Sequence, residues 1–330
     1  MKYISYRPAG TRDEIRIGAL TTDGSWIDLT ATCCHMLEAN GSGHSAAPRI
    51  AEALIPADMV AFIDGGLASQ TAAVDCLKWL ETPNGIPQRE QVTIDLAQGT
   101  LLPPVPRPPM LRDFMAFETH LRNIYPKLGR SIPDEWYELP VYYKGNPGSL
   151  GADGDDVAIP GYASELDYEF ELGMVIGKPG IDIPHELAME HVFGFMIYND
   201  FSARVIQGRE MAVGLGPAKG KDFVGGHVFG PCLVTMDEIG DPYSLGMRAY
   251  VNDQLVCDDS TATMHWTFED MISHASMSEQ LVVGEVFGSG TVGNGSGGEK
   301  DIVLKPGDVV RLEVDRLGVL TNRVVAATNV

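Results

Sequence analysis

The stretch that decides the fold is "SELDYEFELGMVIGK", Ser164 to Lys178, in which acidic and apolar residues alternate. In an extended chain, alternate side chains share one face. The four carboxylates therefore point one way, and their apolar neighbours point the other. An apolar run follows at 174–176, so the pattern predicts a strand over residues 166–177. The acidic members of this row are Glu165, Asp167, Glu169 and Glu171.

Two interpretations of the acidic row are open on this segment alone. A solvated strand face carries such charge without any ligand. Alternatively, Glu169 and Glu171 offer oxygen ligands from one rigid strand to a hard cation such as Mg²⁺ or Ca²⁺. A divalent cation would also remove the repulsion between neighbouring carboxylates.

A second segment favours the cation site. "FGFMIYNDFSARVIQ", residues 193–207, predicts a strand that ends at Asp200 and a helix that begins near Phe201. Asp200 is placed to cap that helix, which would be a purely structural role. Arg204 and Gln207 follow on the same helical face. Arginine binds carboxylates bidentately, so Arg204 is suited to hold an acidic substrate beside a metal.

Two further segments carry reactive side chains. "RDFMAFETHLRN", residues 112–123, predicts a helix over 113–124, with Asp113 and His120 two turns apart on one face. A lone histidine is more often structural than catalytic. "GPAKGKDF", residues 216–223, places Lys219 and Lys221 in a loop, where lysines are usually only solvated.

Composition and charge exclude several classes of partner. The 330 residues carry 45 acids against 24 bases, a net charge of −21, which disfavours nucleic acid and anionic lipid. Five cysteines without CxxC spacing predict reduced thiols. The amino terminus shows no apolar signal segment, and the apolar stretch 192–198 is too short to span a bilayer. We therefore expect a cytoplasmic protein.

A proline-rich connector divides the chain. "GTLLPPVPRPPML", residues 99–111, holds five prolines, which disfavour both helix and central strand. We expect a small amino-terminal domain over 1–102 and a larger domain over 103–330. Frequent turn signals and alternating elements in the second domain predict a β-rich α+β fold with a mixed sheet. The predicted elements are strands at 15–20, 26–29, 166–177, 192–199, 228–235, 247–256, 281–287 and 308–314, and helices at 46–62 (split at Pro56), 67–80, 113–124, 201–210 and 266–280.

Together these motifs resemble the fumarylacetoacetate hydrolase family, in its fumarylacetoacetase-like branch. The similarity lies in D-F-x₅-H, E-x-E, N-D-x-S-A-R-x-x-Q, G-K-x-F, G-S-G-T and L-P-V-x-Y-x-G, which occur in order over about residues 105–325. The resemblance implies a mixed β-sandwich roll, preceded by a small domain, and a homodimer. Met115 stands where fumarylacetoacetase has a tyrosine and Lys144 where it has a histidine, so the substrate is left open.

The resemblance assigns roles to eleven residues of this sequence. The metal ligands are Asp113, Glu169, Glu171 and Asp200. The base that activates water is His120, oriented by Glu299. The residues that hold the substrate or its developing negative charge are Arg204, Gln207, Lys221, Tyr143 and Thr291.

The implied activity is metal-dependent hydrolysis of a C–C bond in a 1,3-diketo acid, such as a fumarylacetoacetate-like or acylpyruvate-like compound from aromatic or related catabolism. Mg²⁺ is the implied cofactor, with Mn²⁺ or Ca²⁺ as alternatives. Other activities stay open: a decarboxylase, hydratase or isomerase of 2-oxo acids, or a non-catalytic cation-binding protein. "GSGTVG", residues 288–293, fits the dinucleotide pattern GxGxxG, but the following "NGSGGEKD" is a poor helix start. This loop is better interpreted as a set of backbone donors beside the metal.

Overall fold

The structure is a computed structural model that describes residues 1–327. The chain forms two compact units, one covering Met1–Pro106 and the other beginning at Arg107.

The first unit combines a small antiparallel sheet with helices. The sheet runs β3-β2-β1-β4. Pro56 falls between α2 and α3, and Asp58 starts α3 by accepting a hydrogen bond from the backbone N–H of Ala61. The strands are β1 (Lys2–Arg7), β2 (Arg16–Leu20), β3 (Trp26–Asp28) and β4 (Thr100–Leu101), and the helices are α1 (Leu29–Ala39), α2 (Ala47–Leu54), α3 (Met59–Asp64), α4 (Gly66–Trp79) and α5 (Arg89–Val92).

The second unit is built mainly from strands joined by short helices. Its strands are β5 (Leu111–Phe114), β6 (Tyr142–Gly145), β7 (Leu150–Ala152), β8 (Asp156–Ala158), β9 (Phe170–Ile176), β10 (Val192–Asp200), β11 (His227–Thr235), β12 (Gly246–Val251), β13 (Gln254–Ser260), β14 (Val286–Gly288), β15 (Val309–Val314) and β16 (Gly318–Val325). Its helices are α6 (Glu118–Ile124), α7 (Arg204–Met211), α8 (Met236–Ile239), α9 (Phe268–Ala275) and α10 (Gly297–Lys300).

Two mixed sheets organise this second unit. One sheet has the order β11-β10-β9-β14-β5-β6, with β7 parallel to β11. The other has the order β13-β12-β15-β16-β8. Strands β9, β10 and β11 are antiparallel, whereas β14 and β5 are parallel. The β-rich α+β fold with mixed sheets is therefore confirmed.

The acidic row does not form a solvated face. Every residue of β9 and β10 is buried. Helix α9 covers part of the sheet, where Phe268 meets Phe195 edge-on with ring centroids 4.9 Å apart. Of the acidic row, only Glu171 lies in β9, but Asp167 and Glu169 just before the strand are also buried, and each buried carboxylate needs a partner. Glu165 is half-buried.

The predicted helix over 113–124 is wrong in its first half. Residues Leu111–Phe114 form β5, paired with β14 on one side and β6 on the other, and α6 begins only at Glu118. Pairing with two strands overrides the helical pattern of a short apolar segment. Asp113 and His120 are therefore on different elements.

The predicted strand over 247–256 is two strands. Asn252 and Asp253 both adopt positive φ, 51° and 64°, and turn β12 back into β13. Both residue types tolerate left-handed backbone, which suits a tight hairpin turn.

Within residues 1–327, no helix is long and apolar enough to cross a membrane.

Candidate metal centre

Three carboxylates from three strands converge in the second unit. Asp113 lies on β5, Glu171 on β9 and Asp200 at the end of β10. One oxygen from each lies within 4.8 Å of the other two, and their exposed fractions are 3%, 1% and 0%. This group of three is defined here as the carboxylate triad.

Glycine makes room for the triad on the intervening strand β14. Gly288 pairs with Asp113 on one side and with Gly173 on the other. A Cβ at position 288 would lie 2.4 Å from Oδ1 of Asp113. Any larger side chain at position 288 would therefore displace the Asp113 carboxylate, which explains why a glycine is needed there.

The electrostatics of the triad fit a divalent cation. Burial and the neighbouring Asp200 raise the pKa of Asp113 well above its ordinary value, and burial and Asp113 do the same for Glu171. Among residues 1–327, none donates a hydrogen bond to the buried Oδ1 of Asp113. Three buried carboxylates and an oxygen that lacks a donor form an all-oxygen ligand set suited to Mg²⁺, Mn²⁺ or Ca²⁺.

Glu169 lies on the same face as Glu171 but contacts two cations. Its Oε1 is 2.8 Å from Nη2 of Arg204, and its Oε2 is 2.5 Å from Nζ of Lys221. Burial opposes ionisation, but these two cations lower the pKa of Glu169 to about 2. The triad does not include Glu169, and its assignment as a metal ligand stays a prediction.

Lys221 is a buried ammonium, unlike the exposed Lys219 in the same loop. It donates to Oδ2 of Asp200, to Glu169 and to Oγ of Ser202, the last at 2.6 Å. Burial acts against its charge, but Asp200 and Glu169 raise the pKa of Lys221 above its ordinary value. Loop lysines are usually only solvated, but Lys221 is buried and paired.

Arg204 sits at the start of α7 and binds the acidic row. Its Nε donates to Oδ2 of Asp167 at 2.8 Å, and its Nη1 donates to Oε1 of Gln207 at 3.1 Å. Asp167 also accepts the backbone N–H of Gly298 at 3.0 Å. Asp167 is a site residue that the motif analysis missed, although its place on the period-two face of the strand was the signal that could have found it.

Asp200 turns both carboxylate oxygens into the centre instead of capping α7. Oδ1 lies 3.0 Å from Nδ1 of His227, and Oδ2 accepts from Lys221 and from the Tyr143 hydroxyl, the latter at 2.8 Å. Burial raises the pKa of Asp200, but Lys221 and His227 outweigh it and lower that pKa. Burial and Asp200 raise the pKa of Tyr143. Tyr143 is thus held as a neutral donor.

His120 and Glu299 form an imidazole–carboxylate pair beside these cations. Nδ1 of His120 is 3.0 Å from Oε2 of Glu299, and Nε2 is 3.8 Å from Oε1 of Glu169. Glu299 is fixed by Asn123 and by the backbone N–H of Ser296. Burial opposes ionisation, but the neighbouring His120 imidazole and the donor Asn123 lower the pKa of Glu299.

The glycine-rich loop after β14 supplies donors to the triad. The backbone N–H of Gly290 donates to Oε2 of Glu171 at 2.9 Å, and Oγ1 of Thr291 lies 3.4 Å from Oε1. Gly290 has φ +79°, a backbone conformation that favours glycine. The loop leads into α10 only at Gly297, so a helix does not follow the GxGxxG pattern directly.

His227 is a second residue that motif reasoning missed. It begins β11, is fully buried, and lies between Asp200 and Asp222, whose Oδ1 is 3.2 Å from Nε2. Burial lowers its pKa, but hydrogen bonds to Asp200 and Asp222 dominate and raise the pKa of His227 to about 9. No motif pointed to this residue, because its partners are distant or on other elements.

The second unit thus brings together buried carboxylates, a buried lysine and a histidine–glutamate pair. This arrangement is typical of a metal-dependent enzyme site, and the comparison with known proteins agrees with it. Residues 110–325 match the family model described as fumarylacetoacetate (FAA) hydrolase C-terminal. The chain belongs to the fumarylacetoacetate hydrolase family.

Relatives in this family carry several activities. The chain is 39% identical over 193 residues to oxaloacetate tautomerase fahd2, mitochondrial, of Xenopus laevis, which covers 56% of this chain and 58% of that protein. The chain therefore spans less than two thirds of that relative's length.

Solved structures share the fold. A putative HpcE protein from Mycobacterium smegmatis superposes with a TM-score of 0.74 at 24% identity, covering 99% of this chain and 100% of that one. Fumarylpyruvate hydrolase from Pseudomonas aeruginosa, solved with Mn²⁺ and pyruvate, has a TM-score of 0.58 at 26% identity and covers 66% of this chain and 90% of that one.

Proposed function

We propose that this chain is a divalent-metal-dependent hydrolase that cleaves a C–C bond in a 1,3-diketo acid of the acylpyruvate or fumarylacetoacetate type. The observation that carries the proposal is the His120–Glu299 pair, which lies beside the same acidic row that leads into the carboxylate triad. An oriented base next to a candidate cation site is what water-dependent cleavage needs. The related fumarylpyruvate hydrolase, with Mn²⁺ and pyruvate, supports this assignment.

The triad residues Asp113, Glu171 and Asp200 would hold the cation, with Glu169 as the further ligand implied by the family motif. Mg²⁺ is our proposed physiological ion, and Mn²⁺ and Ca²⁺ are the alternatives. When bound, the cation would supply Lewis-acid stabilisation of negative charge on the diketo acid.

His120 is the proposed general base. Its Nδ1 faces Glu299, so the neutral ring keeps Nε2 free to accept a proton from water on the side of Glu169. The lowered pKa of Glu299 favours its carboxylate form, which is suited to stabilise the imidazolium that forms. The hydroxide so produced adds to a ketone carbonyl of the substrate.

The remaining polar residues surround the developing charge. Lys221 and Gln207 are proposed to stabilise the oxyanion of the tetrahedral adduct, and Arg204 to hold a substrate carboxylate. Tyr143 and Thr291 are proposed to position the substrate beside Asp200 and Glu171. The C–C bond then breaks, its electron pair stays on the departing enolate, and protonation yields two acids.

A second candidate is tautomerisation of a 2-oxo acid such as oxaloacetate. The relative named oxaloacetate tautomerase favours it. Enol–keto exchange moves one proton between carbon and oxygen, and the same His120 and Lys221 are suited to that transfer. Decarboxylase and hydratase activities would draw on the same residues.

One experiment separates these activities. Purified protein loaded with Mg²⁺ or Mn²⁺ is incubated with fumarylpyruvate, acylpyruvates and oxaloacetate, and products are quantified. Release of pyruvate together with a second acid supports the hydrolase. Exchange between keto and enol oxaloacetate without cleavage supports the tautomerase, and CO₂ release supports a decarboxylase. Tight cation binding without turnover of any of these acids would instead indicate a non-catalytic cation-binding protein.

We also propose a homodimer that acts in the cytoplasm on a small-molecule substrate. Light scattering coupled to size exclusion tests the assembly, because a homodimer of this 35.7 kDa chain doubles the measured mass.

A further inference from the structure

We propose that His227 is a positioning residue for the carboxylate triad, because it fixes the carboxylate of Asp200 toward Asp113 and Glu171. The inference rests on one part of the proposed function, namely that the triad holds a divalent cation. No motif of the family used above includes this histidine.

The inner edge of the His227 ring binds Asp200 directly. The two residues face each other in the antiparallel register of β10 and β11. Nδ1 lies 3.0 Å from Oδ1 of Asp200 and 2.8 Å from the hydroxyl oxygen of Tyr198. A carboxylate can only accept, so the Nδ1–H group donates to Asp200.

The outer edge of the ring is held as firmly. Nε2 lies 3.2 Å from Oδ1 of Asp222, and that oxygen also accepts the backbone N–H of Asn146 at 3.0 Å. On one side, Gly145 of β6 leaves space for the ring, since a Cβ there would lie 3.2 Å from Cε1 of His227. The imidazole is therefore fixed at both nitrogens and packed against a backbone.

The fixed His227 ring determines the orientation of the Asp200 carboxylate. His227 occupies Oδ1, while Lys221 and Tyr143 occupy Oδ2. With a donor on each oxygen, the plane of the carboxylate is fixed. Without the imidazole donor, Oδ1 of Asp200 would be buried and would lack a hydrogen-bond partner. The Asp200 side chain would then turn toward Lys221 and away from the other two carboxylates. Loss of a partner that orients a metal ligand typically weakens metal affinity.

A matched pair of substitutions isolates the inner contact. In His227→Asn the amide nitrogen replaces Nδ1 and still reaches Asp200, whereas in His227→Gln it replaces Nε2 and reaches Asp222 instead. His191 provides a control, because it is also buried and its Nδ1 bonds a backbone carbonyl, that of Lys178, at 2.8 Å. Circular dichroism and thermal melting establish that each variant is folded.

The readouts are the dissociation constant for Mn²⁺, from calorimetry, and the electron paramagnetic resonance spectrum of the bound ion. We expect H227Q to weaken Mn²⁺ binding by about 10- to 100-fold and to change the spectrum. H227N should stay close to the wild type, and H191N should leave both readouts unchanged. If H227Q does not fold, His227→Ala, which also removes the donor to Asp200, is expected to weaken Mn²⁺ binding in the same direction.

Equal or tighter Mn²⁺ binding in H227Q, or equal losses in H227N and H227Q, would overturn the proposal. The outcome is separable from the proposed reaction, because Mn²⁺ affinity is measured without substrate. Weakened binding in H227Q together with a wild type that turns over no diketo acid would refute the reaction and leave the role of His227 intact. A wild type that binds no Mn²⁺ would overturn both.

Discussion

His120 and Glu299 come from α6 and α10, yet Nδ1 of the imidazole lies 3.0 Å from Oε2 of the carboxylate. Glu299 is itself fixed by Asn123 and by the backbone N–H groups of Asn294 and Ser296. A carboxylate this close to Nδ1 favours the tautomer that carries its proton on that nitrogen. The other nitrogen is then a base that faces the acidic centre.

Removal of this base should stop the chemistry and spare the cation site. We expect His120→Asn to lower kcat for diketo acid hydrolysis by about 10²- to 10⁴-fold, because water then lacks a proton acceptor. Mn²⁺ affinity should not change, since His120 is not part of the triad. Steady-state kinetics and calorimetry measure the two quantities. Undiminished hydrolysis would show that another residue is the base.

Loss of charge on Glu299 should act through His120. In Glu299→Gln the ring keeps a neighbour but loses the carboxylate that stabilises the imidazolium. We expect a smaller fall in kcat than for H120N, in the same direction, with KM almost unaltered. A double variant that carries both changes should be no slower than H120N. Additive losses would mean that Glu299 acts independently of the histidine.

Position on the acidic strand should decide which carboxylates matter for the cation. Glu171 belongs to the triad, whereas Asp167 on the same face bonds Arg204 and Gly298. We therefore expect Glu171→Gln to abolish Mn²⁺ binding and metal-dependent turnover, and Asp167→Asn to retain Mn²⁺ binding. Calorimetric titration with Mn²⁺ compares the two. Retained binding in E171Q would place the cation elsewhere.

Lys221 should be important for stability as well as for the reaction. Its ammonium is 1% exposed and lies between Glu169 and Asp200. Lys221→Met leaves two buried carboxylates without this cation, which we expect to cost about 3–5 kcal/mol in the free energy of unfolding. The exposed Lys219 is the matched control, and K219M should change stability by less than about 0.5 kcal/mol. Urea denaturation of the metal-free proteins measures both values.

The triad should couple stability to pH. Burial and mutual repulsion raise the folded-state pKa values of Asp113 and Glu171 above their unfolded values. Such groups bind more protons when folded, so their contribution is fully present below the unfolded pKa and is lost as pH rises toward the folded pKa. The metal-free protein should accordingly lose stability from these two groups as pH increases through that window.

Mn²⁺ should reverse this trend, because it competes with protons for the same oxygens. We expect Mn²⁺ affinity to rise with pH and binding to release protons, which calorimetry in buffers of different ionisation enthalpy detects. D113N is the control variant and should release fewer protons if any Mn²⁺ still binds. Proton uptake on binding would contradict the assigned direction of the shifts.

The acidic strand and the end of β10 could be predicted from the sequence, because period-two alternation and an apolar run directly specify buried strands. The motifs also pointed to most of the residues that meet at the centre. The secondary structure predicted around Asp113 was wrong, because pairing with β14 and β6 makes this segment a strand instead of a helix. That outcome depends on partners more than 25 residues away, which a local pattern does not contain.

The partners of the site residues were equally inaccessible from local patterns. Arg204 pairs with Asp167 across 37 residues, and His227 reaches Asp200 across 27. The glycines and proline of the loop at 216–223 predict a turn, but they do not predict how deeply its lysines are buried. Lys221 is buried by its contacts with Glu169, Asp200 and Ser202, which only the structure describes.

The period-two row that runs into β9 also sets a limit on how this site can be altered. Arg204 binds both Asp167 and Glu169, whereas Glu171 belongs to the triad, and the rise of the chain fixes the separations of these three carboxylates. Inserting or deleting one residue among them would exchange the acidic side for the apolar one. A substitution in this row alters one contact of the centre, whereas an insertion or deletion there would displace every later carboxylate of the row at once.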